Sequence, residues 1–163
     1  MVSLVIVAVF AAGAAWSLDE GDEAPALTIT PVNVEGAGAT NVIEAAEGTI
    51  VLAFVNGTQI AGELTDELSD LIAGFNKLHE NGEVYGVMVV VGEYTHEQIA
   101  AWVQHNNLTV PTGLKQPDDE ELQSWDLPGD AAAMLYVISG DDTVGVETND
   151  PARFGEVLQG VAE

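Results

Sequence analysis

Few side chains in this sequence could take part in covalent or metal chemistry. The imidazoles are His79, His96 and His105, and the acidic groups gather most tightly at Asp118-Asp119-Glu120-Glu121 and Asp141-Asp142. A zinc site needs imidazoles that converge on one point. His96 and His105 stand nine residues apart on one helical stretch, which turns them to opposite faces, and solvated or capping histidines are the plainer reading. The acidic runs offer oxygen ligands for a hard cation such as calcium, but neither shows the D-x-[DN]-x-[DN]-G loop that wraps this ion, and solvated acidic turns account for them. Ser124 and Ser139 lack a nucleophile elbow, and no histidine stands in a telling position for a hydrolase triad. Gly36-Ala37-Gly38 does not lie between a strand and a helix in a phosphate-binding pattern. Cysteine is absent altogether, which removes disulfides, thiolate metal sites, thiol nucleophiles and dithiol redox cycling. No catalytic residue, metal or cofactor is expected.

Charge narrows the partners. The 163 residues carry 27 Asp and Glu against 3 basic residues, Lys77, Lys115 and Arg153, a formal net charge of −24. Such a surface repels phosphate backbones and anionic headgroups, which argues against nucleic acid and against adsorption to acidic membranes. Adaptation to a salty medium fits carboxylates spread along the whole chain; an acidic docking face for a basic partner or for divalent cations is the alternative.

The elements that must position any site begin with residues 49–75. Ile50, Val51, Leu52, Ala53, Phe54 and Val55 form an unbroken apolar run rich in β-branched residues, as expected of a strand covered on both faces. Asn56-Gly57 breaks it. From Ile60 onward Leu64, Leu68, Leu71, Ile72, Phe75 and Leu78 recur at spacings of three and four, which predicts an amphipathic helix ending near Asn81-Gly82. Residues 84–91 read as a second buried strand, parallel to the first, and Thr95 as the cap of a helix over 96–106, with Ile99, Trp102 and Val103 on its apolar side. Residues 108–110 read as a weak strand, 111–117 as irregular and 118–125 as a short helix with an acidic first turn. A strand over 132–139 turns through Gly140-Asp141-Asp142 into an antiparallel partner over 143–148, and Asp150-Pro151 opens a terminal helix.

Ahead of this domain, residues 2–18 form an uncharged apolar stretch at the short limit for crossing a bilayer. Val2, Leu4, Val5, Ile6, Val7, Val9, Phe10 and Trp16 are its membrane-contact candidates. Three fates fit it: a retained signal anchor or transmembrane helix, an export signal cut in the small-residue run near Ala14, or a helix packed against other subunits. Asp19, Glu20, Asp22 and Glu23 follow it, which favours a domain outside the cytoplasm. The expected organisation is a hydrophobic segment at 1–18, a linker and arm at 19–38, with a short edge strand broken at Pro31, and a domain at 39–163.

The order of strand, helix, strand, helix, hairpin and helix is the thioredoxin arrangement. The residues resemble the same superfamily. Gly21-Asp22-Glu23-Ala24-Pro25-Ala26-Leu27-Thr28-Ile29 is similar to the G-D-x-A-P-x-F-x-L opening of extracytoplasmic thioredoxin-like proteins of the TlpA/ResA type and of peroxiredoxins. The stretch from Trp125 to Ile138 resembles their Y-G-V-x-G-x-P-T-T-F-L-I-D block. The resemblance implies a three-layer α/β/α fold with a central mixed sheet. Laid on the W-C-x-x-C motif, Thr58 takes the tryptophan position and Gln59 and Gly62 the two cysteines; Ala131 stands where the family has its cis-proline, so a trans peptide is expected there. The implied protein is a redox-inactive interaction or scaffold module, tethered to the membrane as an accessory subunit. A filament subunit, or an exported protein that binds calcium or peptide, are the alternatives. Asn56, Gly57, Thr58, Gln59, Gly129, Asp130, Ala131 and Ala132 correspond to the surface that receives extended polypeptide in active relatives, and are the candidate partner-binding residues.

Overall fold

The apolar run at 50–55 becomes the middle strand of a five-stranded mixed sheet. In the computed structural model, residues 18–79, 84–125, 127 and 131–162 are described. In chain order the elements are β1 (Thr28–Ile29), β2 (Thr40–Asn41), α1 (Val42–Ala45), β3 (Thr49–Asn56), a 3-10 turn (Gly57–Gln59), α2 (Asp66–His79), β4 (Val84–Val91), α3 (His96–His105), β5 (Thr112–Lys115), a second 3-10 turn (Glu120–Ser124), β6 (Ala133–Ile138), β7 (Val144–Thr148) and α4 (Pro151–Ala162). Strand order is β5-β4-β3-β6-β7, with β1 and β2 forming a separate antiparallel pair. β3 runs parallel to β4, Ala53 opposite Met88, and antiparallel to β6, Ala53 opposite Leu135.

Alternation along β3 splits the core into two layers. Val51, Ala53 and Val55 face Leu71 and Phe75 of α2, Ile99 and Trp102 of α3, and Phe154 and Leu158 of α4 in one buried cluster. Ile50, Leu52 and Phe54 belong to the other, which is closed by Leu18 and Leu27 of the N-terminal arm, Val42 and Ile43 of α1, and Leu122 and Trp125. The second layer is therefore made of an arm and short turns in place of long helices. Three aromatic rings hold it together: Trp125 lies 5.3 Å from Phe54 and 5.1 Å from Tyr136, centroid to centroid. These tilted and edge-on contacts suit the ring quadrupoles. The indole Nε1 donates to Ala26 O at 3.4 Å, tying the arm to the same cluster.

Several expectations hold. Thr95 and Gln98 form a reciprocal capping box at α3, and Asp150 Oδ1 accepts from Ala152 N at 3.0 Å at the start of α4. Others need correction. The helix expected from Ile60 begins at Asp66, because Thr65 caps it: its hydroxyl accepts from Leu68 N at 3.3 Å and its carbonyl from Ser69 N at 3.0 Å. Ile60 and Leu64 pack against the core from an irregular segment, which is why they mimic the helical spacing. The weak strand expected at 108–110 forms at Thr112–Lys115, within the stretch read as irregular, and the helix expected at 118–125 is a 3-10 turn. Pro111 starts this edge by presenting its carbonyl to Met88 N at 3.0 Å. The 1–17 segment, including its membrane-contact candidates, lies outside the described residues, and no helix among the described residues is long and apolar enough to cross a membrane.

Both outer strands are partly covered, as exposed edges otherwise invite pairing with other chains. Val32 N donates to Thr112 O at 2.8 Å, and the Asn33 amide bridges Val110 O and Thr112 N on the β5 side. On the β7 side Gly21 N donates to Val144 O at 2.7 Å, Val144 N to Asp22 O at 2.8 Å and Ala24 N to Asp142 O at 2.8 Å. Trp125→Ala should remove the centre of the thin layer and cost about 3–5 kcal/mol, read as a lowered urea midpoint with an unchanged denaturant slope.

Candidate functional site

At the end of β3 the backbone leaves the sheet beside the segment that leads into β6, and Asn56 joins the two. Its backbone N donates to Ala132 O at 2.9 Å and its Nδ2 to Ala131 O at 3.3 Å. Its Oδ1 accepts from Thr58 N at 3.1 Å and from the Thr58 hydroxyl at 2.9 Å. One amide thus brings together both stretches named from the sequence. Ala131 and Ala132 lie half-buried, Gln59 half-buried and Thr58 exposed. Gly129, Asp130 and the peptide between Asp130 and Ala131 fall outside the described residues.

Gly57 is closed in from the other side by a residue the sequence reading passed over. The Tyr94 hydroxyl donates to Gly57 O at 2.7 Å. A Cβ at Gly57 would stand 2.7 Å from Val91 O and 2.8 Å from the Tyr94 ring, and one at Gly92 would stand 2.8 Å from the same ring. The two glycines leave room for the Tyr94 ring beside the ends of β3 and β4. Spacing held the clue, since Gly92-Glu93-Tyr94 follows the buried strand directly.

Of the positions aligned with the thiols in the resemblance, Gln59 ends the 3-10 turn and Gly62 lies in the irregular stretch before the late start of α2 at Asp66. Neither sits on the first turn of a helix, where aligned backbone dipoles and free N–H groups would stabilise a thiolate. His96 and His105 are exposed, and among the described residues no three His, Asp or Glu side chains are placed to hold a metal ion.

The acidic run at 118–121 has a definite internal role. Lys115, buried at 8% exposure, sends Nζ to Asp119 Oδ2 at 3.2 Å and Glu121 Oε1 at 2.6 Å. Glu121 also accepts from Thr28 N at 2.9 Å and from the Thr28 hydroxyl at 3.1 Å. One carboxylate thereby ties β1, β5 and the second 3-10 turn. Desolvation pushes the Glu121 carboxyl up, but the hydrogen bonds and charge of Lys115 and the two bonds from Thr28 outweigh it and hold it below its ordinary value of 4.5. Read as isolated charges in the sequence, these residues gave no sign of the pairing.

The sequence matches no protein-family model and no curated protein. Solved structures do match its shape. The thioredoxin domain of a thiol-disulfide oxidoreductase from Bacteroides vulgatus superposes with a TM-score of 0.69 at 11% identity, covering 90% of this chain and 100% of that one. A thiol:disulfide interchange protein from a Bacteroides species gives 0.66 at 14% identity, covering 88% of each chain. A secreted thiol-disulfide isomerase from Corynebacterium glutamicum gives 0.66 at 16% identity, covering 83% and 81%. The chain has a thioredoxin-like fold and no cysteine with which to perform thiol-disulfide exchange.

Two predictions follow from this geometry. Because the Glu121 carboxyl is depressed in the folded state, its contribution is full above the ordinary carboxylate range and is lost as pH falls through the folded value. Glu121→Gln should cost about 1–2 kcal/mol at pH 7 and flatten the fall in stability below pH 4.5, measured by denaturant melts across pH. The double variant Gln59→Cys, Gly62→Cys should titrate near the ordinary thiol value of about 8.5 by thiolate absorbance and should fail to reduce insulin; a strongly acidified thiol would refute the account of the late helix.

Proposed function

We propose that this chain is a redox-inactive thioredoxin-like interaction module, located outside the cytoplasm, held to the membrane by residues 2–18 and serving as an accessory subunit of a larger assembly. The observation that carries the reading is the combination of a complete thioredoxin-like sheet with a chain free of cysteine. The site end of the sheet is occupied by the protein's own bonds from Asn56 and Tyr94, which favours recognition over chemistry. Extracytoplasmic placement is supported by the acidic flank after the apolar stretch, and by the secreted isomerase among the structures of similar shape. The surface offered to a partner is the Asn56 end of the sheet, with Thr58 exposed at its rim.

The test is extraction of the native protein from membranes in mild detergent, followed by mass spectrometry of the intact complex. A chain that retains Met1 with stoichiometric companions is the expected result. A single chain beginning near Ala15 would overturn it in favour of an exported monomer that binds a soluble ligand.

A further inference from the structure

The pattern Asn-x-Thr, an acceptor for transfer of a sugar chain to asparagine, occurs twice in this sequence, at Asn56-Gly57-Thr58 and at Asn107-Leu108-Thr109. The fold treats the two asparagines differently. Asn56 is half-buried with its amide engaged at both ends, Nδ2 with Ala131 O at 3.3 Å, and Oδ1 with Thr58 N at 3.1 Å and the Thr58 hydroxyl at 2.9 Å. A sugar on that nitrogen has to compete with the contact that joins β3 to the segment before β6.

Asn107 is placed the opposite way. It follows the end of α3 with φ 53°, and the helix closes through Asn107 N to Gln104 O at 3.2 Å and Leu108 N to Val103 O at 3.1 Å. This pair of bonds is a Schellman turn, whose left-handed position favours glycine or asparagine. Leu108 folds back into the cluster that holds Val103, whereas Asn107 stays exposed, and among the described residues its side-chain amide has no hydrogen-bond partner. Thr109 is exposed as well. Asn76 of α2 holds the triplet in place: it accepts from Thr109 N at 2.9 Å and from the Thr109 hydroxyl at 3.0 Å, and donates to Asn107 O at 2.9 Å. The acceptor nitrogen is left unused.

This triplet also lies away from the partner-facing end. β4 finishes with Val91 opposite Asn56, and α3 carries the chain back before β5 runs parallel to β4. Val110, just past the triplet, lies against Gly86 near the start of β4, its Cγ1 3.0 Å from where a Cβ would stand. A sugar chain at Asn107 leaves the Asn56 end open.

We propose that Asn107, and not Asn56, carries an N-linked glycan received from a sugar chain on a polyprenyl phosphate or pyrophosphate lipid. Nδ2 bonds to the anomeric carbon, the bond from that carbon to the phosphate oxygen breaks, the amide gives up one proton, and the lipid leaves as its phosphate or pyrophosphate. The step needs neither oxidant nor reductant. It rests on the placement of the domain outside the cytoplasm.

Trypsin separates the two acceptors, since Lys77 and Lys115 bracket Asn107 in a peptide of residues 78–115 and leave Asn56 on the other side of Lys77. In the native protein the 78–115 peptide should carry sugar, seen as a mass above that of its sequence and as sugar fragment ions, while the Asn56 peptide keeps its sequence mass. Asn107→Gly, which suits the left-handed turn, and Thr109→Ala should each abolish the sugar, and Thr109→Ser should retain it, with thermal melts showing that each variant is folded. In a second sample a membrane-impermeant amine reagent is applied to intact cells and read at the exposed Lys77. A bare 78–115 peptide in a chain that the reagent reaches overturns the glycan and leaves the placement standing. A bare peptide in a chain that it does not reach overturns the placement, and the glycan with it. Sugar on the Asn56 peptide, or sugar that survives Thr109→Ala, overturns the assignment to Asn107.

Discussion

Strand β3 has no wet face. Every residue from Ile50 to Val55 is at most 3% exposed, so both sides of the sheet must be covered before this strand can exist. Burying each large side chain of that run contributes roughly 1.5–3 kcal/mol, and this gain is what can order the segments laid over it. On one side three helices supply the cover. On the other the chain spends its N-terminal arm, one short helix and a 3-10 turn, and the Trp125 ring spans what they leave open. The arm is accordingly part of the core, with Leu18 and Leu27 buried in the same cluster as Ile50, Leu52 and Phe54.

What the sequence revealed divides along a physical line. Burial and caps are local, one-dimensional signals, and they were legible: the runs at 50–55 and 84–91, Thr95 before α3, Asp150-Pro151 before α4, and the final hairpin. The late start of α2 was not, because Ile60 and Leu64 pack against the core from an irregular path and so counterfeit a helical repeat. A closer weighing of Thr65 ahead of Asp66-Glu67 would have found the boundary. The short strand Thr112–Lys115 depends on a neighbour, β4, and on the covering Asn33, neither of which leaves a mark within four residues.

The site was half legible. Asn56-Gly57 stood out as a break after a buried strand, and the resemblance to thioredoxin-like proteins pointed across the fold to Ala131 and Ala132. That one amide bonds both ends could be learned only from the folded chain. Tyr94 and the set of Lys115, Asp119 and Glu121 escaped for the same reason: each gains meaning from residues 4 to 93 positions away. In the absence of thiols these bonds still hold the ends of β3, β4 and β5 in register.

The charge is distributed with the same logic. Lys115 is a buried cation, and the carboxylates that meet it are the ones most bound up in internal bonds. Most of the rest stay in water, and the β6–β7 turn end collects Asp19, Glu20, Glu23, Glu47 and Asp141 as exposed residues. An end of that composition is repelled by anionic surfaces, since their potential attracts only basic segments. Dissolved salt weakens that repulsion, since the range over which exposed charges act contracts from about 8 Å at physiological salt to about 3 Å at 1 M.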